Sequence, residues 1–343
     1  SSNKVNWDDL YDLASLTKIL SSVPLLMNEY ELDNLNLDTT LSDLLPNMDL
    51  NEKENLSIKE MLSHQAGLFP WIPFYKKTID SLTYKPMSNW YRSSKEEGFS
   101  IKVTEDLFLK NVFLDTINVN IINSNLSDDK SYVYSDLPYY FIKSFLENKN
   151  NKDLDDQLKK KLLLGLGANR TTYNPTLSFS KNKIVPSEID NYFRNTTLHG
   201  YVHDMGAAMQ GGIGGHAGLF SNSNDVAKIM QMYIQGGYYG GIRFFKSSTI
   251  DDFNTCYFCD NNNRRGIGFD KPQLDDSKPT CGCVPMSSFG HSGFTGTYTW
   301  ADPENKLVYV FLSNRTYPTM ENRMLYKYNI RTEIQRVIYE SFN

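Results

Sequence analysis

The sequence predicts an α/β chain of the α+β kind: a small antiparallel sheet flanked by helices, with a mainly helical and loop-rich middle. Three observations carry this. Apolar residues recur at helical spacing near the start, at Leu13, Leu16, Ile19, Leu20, Val23 and Leu26. The last third changes to strand-like runs of Phe, Tyr, Thr and Val. A second helical stripe closes the chain at Tyr326, Ile330, Ile334, Val337 and Ile338. The first and last helices are therefore expected to cover the sheet.

Element by element, residues 12–30 read as the first helix, with Asp12 as cap and Ser15 in its first turn. Residues 31–56 are rich in Asn and Asp, are broken by Pro46, and read as extended loop. Ser57 to His64 reads as a short helix closed by Gly67. Residues 70–100 are irregular, and Trp71 and Trp90 among them could wall a pocket. Residues 104–117 read as helix. A turn over Asn123 to Lys130 leads to a helix capped by Ser135 or Asp136 and running to about Glu147. Asp153 to Leu164 is a further amphipathic helix, stopped by Gly165 and Gly167. Residues 170–200 read as loops. Residues 199–221 combine seven glycines with three histidines, and Asp225 to Ile234 is helical. Phe289 to Trp300 and Lys306 to Ser313 read as two strands joined by the turn Asp302-Pro303-Glu304-Asn305. Residues 321–341 form the closing helix. The expected organisation is one domain, 1–343. Within it, 45–240 form a helical and loop subdomain, and 241–343 with 10–30 form the sheet side.

Composition narrows the function. The chain has 343 residues, a formal charge of -5 and 40% hydrophobic residues, a globular balance. Without a long basic run there is no electrostatic case for nucleic acid. No apolar run is long enough to span a bilayer, and the N-terminus carries no signal peptide, which cleavage would have removed. Cys256, Cys259, Cys281 and Cys283 fit a structural zinc site, free thiols, or one or two disulfides.

Three polar clusters can carry chemistry. Ser15 and Lys18 share a helix face at i and i+3, so an amine can exchange a proton with a hydroxyl placed at a helix tip. Tyr134 can shuttle a proton if a cation stabilises its phenolate, and Asp136 can accept from Lys18 or from substrate. Gly290-His291-Ser292-Gly293-Phe294 opens a strand against which a substrate carbonyl could lie. There the N–H groups of Phe294 and Ser15 would form an oxyanion hole, with His291 and Ser292 bordering the leaving-group or carboxylate side. His199, His203 and His216, with Asp204, could be imagined as metal ligands. Gly200 argues against the helix that such spacing needs, so these rings are read as loop braces.

The order Ser15-Leu-Thr-Lys18, Tyr134-Ser135-Asp136, His291-Ser292-Gly293 resembles the motif set of penicillin-recognising enzymes. The segments YDLASLTK, MLSHQAGL, VHDMGAAMQGGIGGHAGLFS, RRGIGFDKP and FGHSGFTGTYTWADPE extend the likeness over nearly all of residues 10–341. The chain is identified as a member of the serine β-lactamase-related family, on its class C and penicillin-binding-protein-like branch. The resemblance implies a β-lactamase/transpeptidase-like fold lacking the usual N-terminal helix and two strands. Another segment or a fused domain would supply them. It implies a bacterial, periplasmic or secreted serine hydrolase with no metal or organic cofactor, acting on a small-molecule or peptide ester or amide. Ser15 would be the nucleophile, Lys18 its base, Tyr134 the proton relay, and His291 a substrate contact or a tuner of Tyr134. Asp136 departs from the family's asparagine and His291 from its lysine. Both changes favour esters or cell-wall peptides over β-lactams. Two other readings are a catalytically weak or inactive module that binds cell-wall peptide or glycan, and a metal hydrolase.

Overall fold

The computed structural model describes residues 4–273 and 279–342. It opens on a short strand, β1 (Tyr11–Asp12), rather than on the predicted helix. Asp12 pairs with Phe220, and Ala14 takes the left-handed φ of 47°. Helical structure begins only after Ser15, with a wide π-type turn, Lys18–Ser22, leading into α1 (Val23–Glu31). Asp12 is thus a brace of the turn and not a helix cap. Its two carboxylate oxygens accept from the Ala14 N–H (2.9 Å) and the His203 N–H (2.6 Å). The apolar stripe from Leu13 to Leu26 is fully buried, as its spacing predicts.

The stretch 31–56, predicted as loop, contains α2 (Leu41–Leu44), started by a Thr40/Asp43 capping box. A Ser57/Glu60 box starts α3 (Ile58–Leu62). The first left-handed residue after α3 is His64, at φ 59°, ahead of Gly67. The helix predicted over 104–117 is mostly something else. A small sheet of β2 (Tyr91–Arg92), β3 (Ile101–Thr104) and β4 (Leu107–Leu109) comes first. Helix α4 (Phe113–Ile122) follows. Pairing of β4 between its two neighbours overrides the helical reading.

Next come α5 (Pro138–Asn150), then α6 (Leu154–Leu158) and α7 (Leu164–Leu166), with a π-type turn between the last two. Residues 170–200 hold three short strands where loops were predicted: β5 (Thr172–Tyr173), β6 (Glu188–Asp190) and β7 (Thr196–Leu198). The glycine-rich stretch contains α8 (Met205–Ala208) and β8 (Leu219–Ser221) and runs into α9 (Ser223–Ile234). Strand β8 lies between β1 and β5, so the nucleophile turn is tied to the glycine-rich stretch. A hairpin of β9 (Tyr238–Tyr239) and β10 (Ile242–Arg243) precedes α10 (Ser247–Asn254).

The C-terminal sheet is antiparallel, in the order β11 (Phe289–Ser292), β12 (Tyr298–Asp302), β13 (Leu307–Phe311). The single strand predicted over 289–300 is split by a turn at Gly293–Thr297, because that turn folds onto the nucleophile loop. Thr295 Oγ1 donates to the Asp12 carbonyl (2.7 Å) and Thr297 Oγ1 to the Leu13 carbonyl (3.0 Å). A Cβ on Gly293 would meet the Leu13 carbonyl oxygen at 2.7 Å, so glycine permits the approach.

Helix α9 packs on β12 and β13, a role the sequence reading gave to the first helix. The closing helix is broken at Asn329 into α11 (Met324–Lys327) and α12 (Ile330–Glu340). It buries Gln335 and Tyr339 rather than the predicted stripe, and Val337 is 64% exposed. Gln335 accepts from the Cys281 N–H at 3.0 Å and Tyr339 donates to Asp302, so polar anchoring fixes this face. Of the three options for the cysteines, the structure takes two disulfides, Cys256–Cys259 and Cys281–Cys283. Among the described residues no helix is long and apolar enough to cross a membrane.

Candidate active site

Ser15 sits at the tip of the turn that Asp12 and Thr295 hold. Lys18 lies one helical turn on, fully buried, and its Nζ donates to Ser15 Oγ at 3.1 Å. The same Nζ meets Asp136 Oδ1 at 2.6 Å and the His216 carbonyl at 3.3 Å. Burial alone would push the Lys18 ammonium toward neutrality. The Asp136 carboxylate, then the Tyr134 and Tyr139 hydroxyls, outweigh it and hold the amine above the ordinary lysine range. These contacts favour the charged form of Lys18 in the substrate-free protein. The sequence reading named Asp136 as an acceptor for Lys18, and the two groups meet here.

Tyr134 reaches the site on an extended segment pinned to the loop after α3. The Val133 N–H donates to the His64 carbonyl (3.1 Å), the Asp136 N–H to the Pro70 carbonyl (3.0 Å), and Ser135 Oγ to the Phe69 carbonyl (2.6 Å). The Lys18 Nζ lies 5.1 Å from the Tyr134 ring centre. The buried Tyr134 hydroxyl makes no hydrogen bond of ordinary length and angle in the chain, yet it faces Lys18 and Ser15 closely enough for both to favour its ionised form. Burial pushes this phenol up, the Lys18 ammonium pulls it only part of the way back, and the balance stays above the ordinary phenol range.

Behind Tyr134 stands a group that the motifs did not single out. Arg265 lies with its guanidinium carbon 5.3 Å from the Tyr134 ring centre, and the His64 ring lies 4.5 Å from that ring. His291 is 6.0 Å away on the other side, its Nδ1 bonded to the Ser292 carbonyl at 2.8 Å. Burial, then the Arg265 and Lys18 charges, hold both imidazoles well below the usual histidine range, so both are neutral at pH 7. His291 therefore brings no positive charge to the site.

The third cluster divides along the pleat of β11. His291 packs near Tyr134, and Ser292 lines a groove with Tyr298 and Arg331. Gly293 seats the turn, and Phe294 borders the Ser15 cavity. Among the described residues, neither the Ser15 N–H nor the Phe294 N–H donates to any group of the chain.

A cavity of about 470 Å³ opens over Ser15 and is lined by Tyr134, Asp136, His203, Asp204 and His216. Trp71 and Tyr75 add an aromatic wall. His216 Nε2 lies 2.8 Å from Asp204 Oδ1, and His203 Nε2 lies 3.0 Å from Glu188 Oε2. His199 Nε2 is within 2.7 Å of the Lys181 and Ile184 carbonyls. The histidines thus brace loops, and among the described residues no group of side chains has the makings of a metal site. Asp204 and His216 reach the cavity through the glycine-rich stretch; its three histidines in seven glycines were the available signal.

The family model described as Beta-lactamase matches residues 1–332. A protein of Escherichia coli K12 named as a D-alanyl-D-alanine carboxypeptidase is 29% identical over 332 residues, covering 91% of this chain and 70% of its own length. A Salmonella agona protein named in the same way is 26% identical over 339 residues, covering 91% and 71%. Two solved structures share the fold. EstCE1, a hydrolase with promiscuous acyltransferase activity, has a TM-score of 0.64 at 16% identity, over 98% of this chain and 86% of its own. A D-stereospecific amidohydrolase from Streptomyces has a TM-score of 0.62 at 16% identity, over 90% and 82%.

Proposed function

Because the chain belongs to the Beta-lactamase family and is a serine hydrolase of that family, we propose that it cleaves an ester or amide through an acyl-enzyme on Ser15. The observation that carries this reading is the meeting of Ser15, Lys18 and Asp136, beside Tyr134, at the edge of one cavity. A substrate carbonyl enters the cavity with its oxygen toward the free N–H groups of Ser15 and Phe294. Tyr134 acts as the phenolate, the form that the Lys18 ammonium stabilises; as Ser15 Oγ bonds to the carbonyl carbon, the Ser15 proton passes to that phenolate and gives the neutral phenol. The carbonyl becomes an oxyanion held by the two N–H groups. Collapse breaks the bond to the leaving group, which takes the proton from Tyr134. Water then attacks the acyl-enzyme by the same route in reverse.

The relatives' name makes cell-wall peptides the preferred amide, with simple esters beside them. For β-lactams, the repulsion expected from Asp136 is softened, since Lys18 engages that carboxylate at 2.6 Å. What argues against efficient β-lactam hydrolysis is the neutral His291 and a cavity lining without Lys or Arg, which leave a substrate carboxylate without a cation. Action outside the cytoplasm, periplasmic or secreted, fits the two disulfides and the relatives' name.

Intact-mass measurement after treatment with an activated phosphonate tests the reading. The wild type should gain one adduct and Ser15→Ala none. Equal labelling of both proteins would remove Ser15 as nucleophile.

A further inference from the structure

The part of the cavity lining around Asp204 has no part in the acyl transfer described above. It presents Asp204, whose side chain is 21% exposed into a largely apolar space. One carboxylate oxygen, Oδ1, accepts from the Ala207 N–H (2.7 Å) and lies against His216 Nε2 (2.8 Å). The other, Oδ2, meets no donor of the chain among the described residues. Burial works against ionisation of Asp204, but His216, the Ala207 N–H and His203 outweigh it and keep the carboxyl well below the usual range.

The surroundings of that oxygen favour a positive guest. No Lys or Arg lines the cavity, and Lys18 behind Ser15 is already engaged by Asp136. Trp71 and Tyr75 stand at the same cavity with ring centres 6.5 Å apart. Aromatic faces beside a carboxylate suit an ammonium group. The face of Phe294 is excluded from this role, because Arg315 lies 4.5 Å from its ring centre. A substrate carboxylate placed here would meet the Asp204 carboxylate, and among the described residues no Lys or Arg lines the cavity to offset it.

We infer that Asp204 selects substrates whose acyl portion carries a free amine, holding the ammonium with Oδ2 against the Trp71 and Tyr75 wall while Ser15 attacks the adjoining carbonyl. This rests on the Ser15 acyl-enzyme and adds to it the substrate class: aminoacyl amides and esters, with N-acylated ones disfavoured. Asp204 is a specificity residue in this scheme and takes no part in moving the Ser15 proton.

The test compares alanine p-nitroanilide with N-acetylalanine p-nitroanilide, in both enantiomers, on the wild type and on Asp204→Asn. Asparagine keeps an oxygen for the Ala207 N–H and removes the charge. The wild type should prefer the free amine. In the variant the ratio of kcat/KM, amine over acetyl, should fall about 10- to 100-fold, the scale of a hydrogen bond to a charged group. A purely structural role for Asp204 would lower both substrates alike and leave the ratio unchanged, which overturns the inference. Phosphonate labelling of Ser15 is followed on the same samples. Labelling with an unmoved ratio sinks the amine preference alone; absence of labelling in the wild type sinks the Ser15 reading and the preference with it.

Discussion

The two sides of Ser15 are built differently. On one side, Lys18, Asp136 and the His216 carbonyl form a closed set of direct contacts, with the Lys18 Nζ between 2.6 and 3.3 Å from each of its three oxygen partners. On the other, the Tyr134 hydroxyl, His64 Nε2, His291 Nε2 and one Arg265 nitrogen are buried without a hydrogen bond of ordinary length and angle among the described residues. The difference separates two tasks. The closed side fixes a charge in place and holds the nucleophile. The open side keeps Tyr134 and two neutral imidazoles in low dielectric, where the change between phenol and phenolate on Tyr134 is felt strongly.

The first way to break this contrast is to remove the phenol. Tyr134→Phe keeps the ring, so the Lys18–Asp136 contact should survive, while acylation of Ser15 should drop about 10²- to 10⁴-fold, the worth of a positioned proton carrier. Burst kinetics with a chromogenic ester measure it. A drop of less than a few-fold would place the proton elsewhere.

The second change acts through the turn that brings the Phe294 N–H to Ser15. In Gly293→Ala the new methyl would sit 2.1 Å from Thr297 Oγ1 and 2.7 Å from the Leu13 carbonyl oxygen, so the turn must shift. Displacing one oxyanion donor should lower acylation about 10²-fold. The overpacking should cost about 1–3 kcal/mol in denaturant melts. Full activity in this variant would show that the turn does not position a donor.

The smallest effect concerns the open side at acid pH. His64 and His291 are neutral in the folded protein, with their proton affinity pushed down by burial and by Arg265. They take up protons on unfolding, so their contribution to stability is present above the unfolded imidazole pKa of about 6.5 and declines as pH falls below it. Each group adds up to about 1.4 kcal/mol per pH unit to that decline. Denaturant melts between neutral and mildly acid pH should show it, and His291→Asn should flatten the slope. An unchanged slope would mean that these rings are not the groups responsible.

How much of this could be read beforehand follows from distance along the chain. Ser15 and Lys18 are three residues apart, and burial of the Leu13–Leu26 stripe follows from local spacing. Tyr134, Asp136 and His291 were legible through the order of the motifs. The contact of Lys18 with Asp136, 118 residues on, was named too, but the charge state of the amine also depends on its burial, which spacing does not reveal. Arg265, His64 and Asp204 enter through loops, where turn geometry alone decides which side chain reaches the cavity. The closing helix misled for another reason: its apolar stripe is intact, but Gln335 and Tyr339 have hydrogen-bond partners on the sheet side and take the buried face.

The contrast between the two sides is tested most directly by the pH dependence of single-turnover acylation in the wild type and in Asp136→Asn. Without the carboxylate, burial should dominate and Lys18 should lose its proton at lower pH than in the wild type. If Lys18 works as a fixed cation beside Tyr134, the variant's rate should therefore fall away at a pH where the wild type is still fully active. A variant that acylates faster than the wild type near pH 7 would contradict this, because it would show neutral Lys18 to be the base that Asp136 restrains.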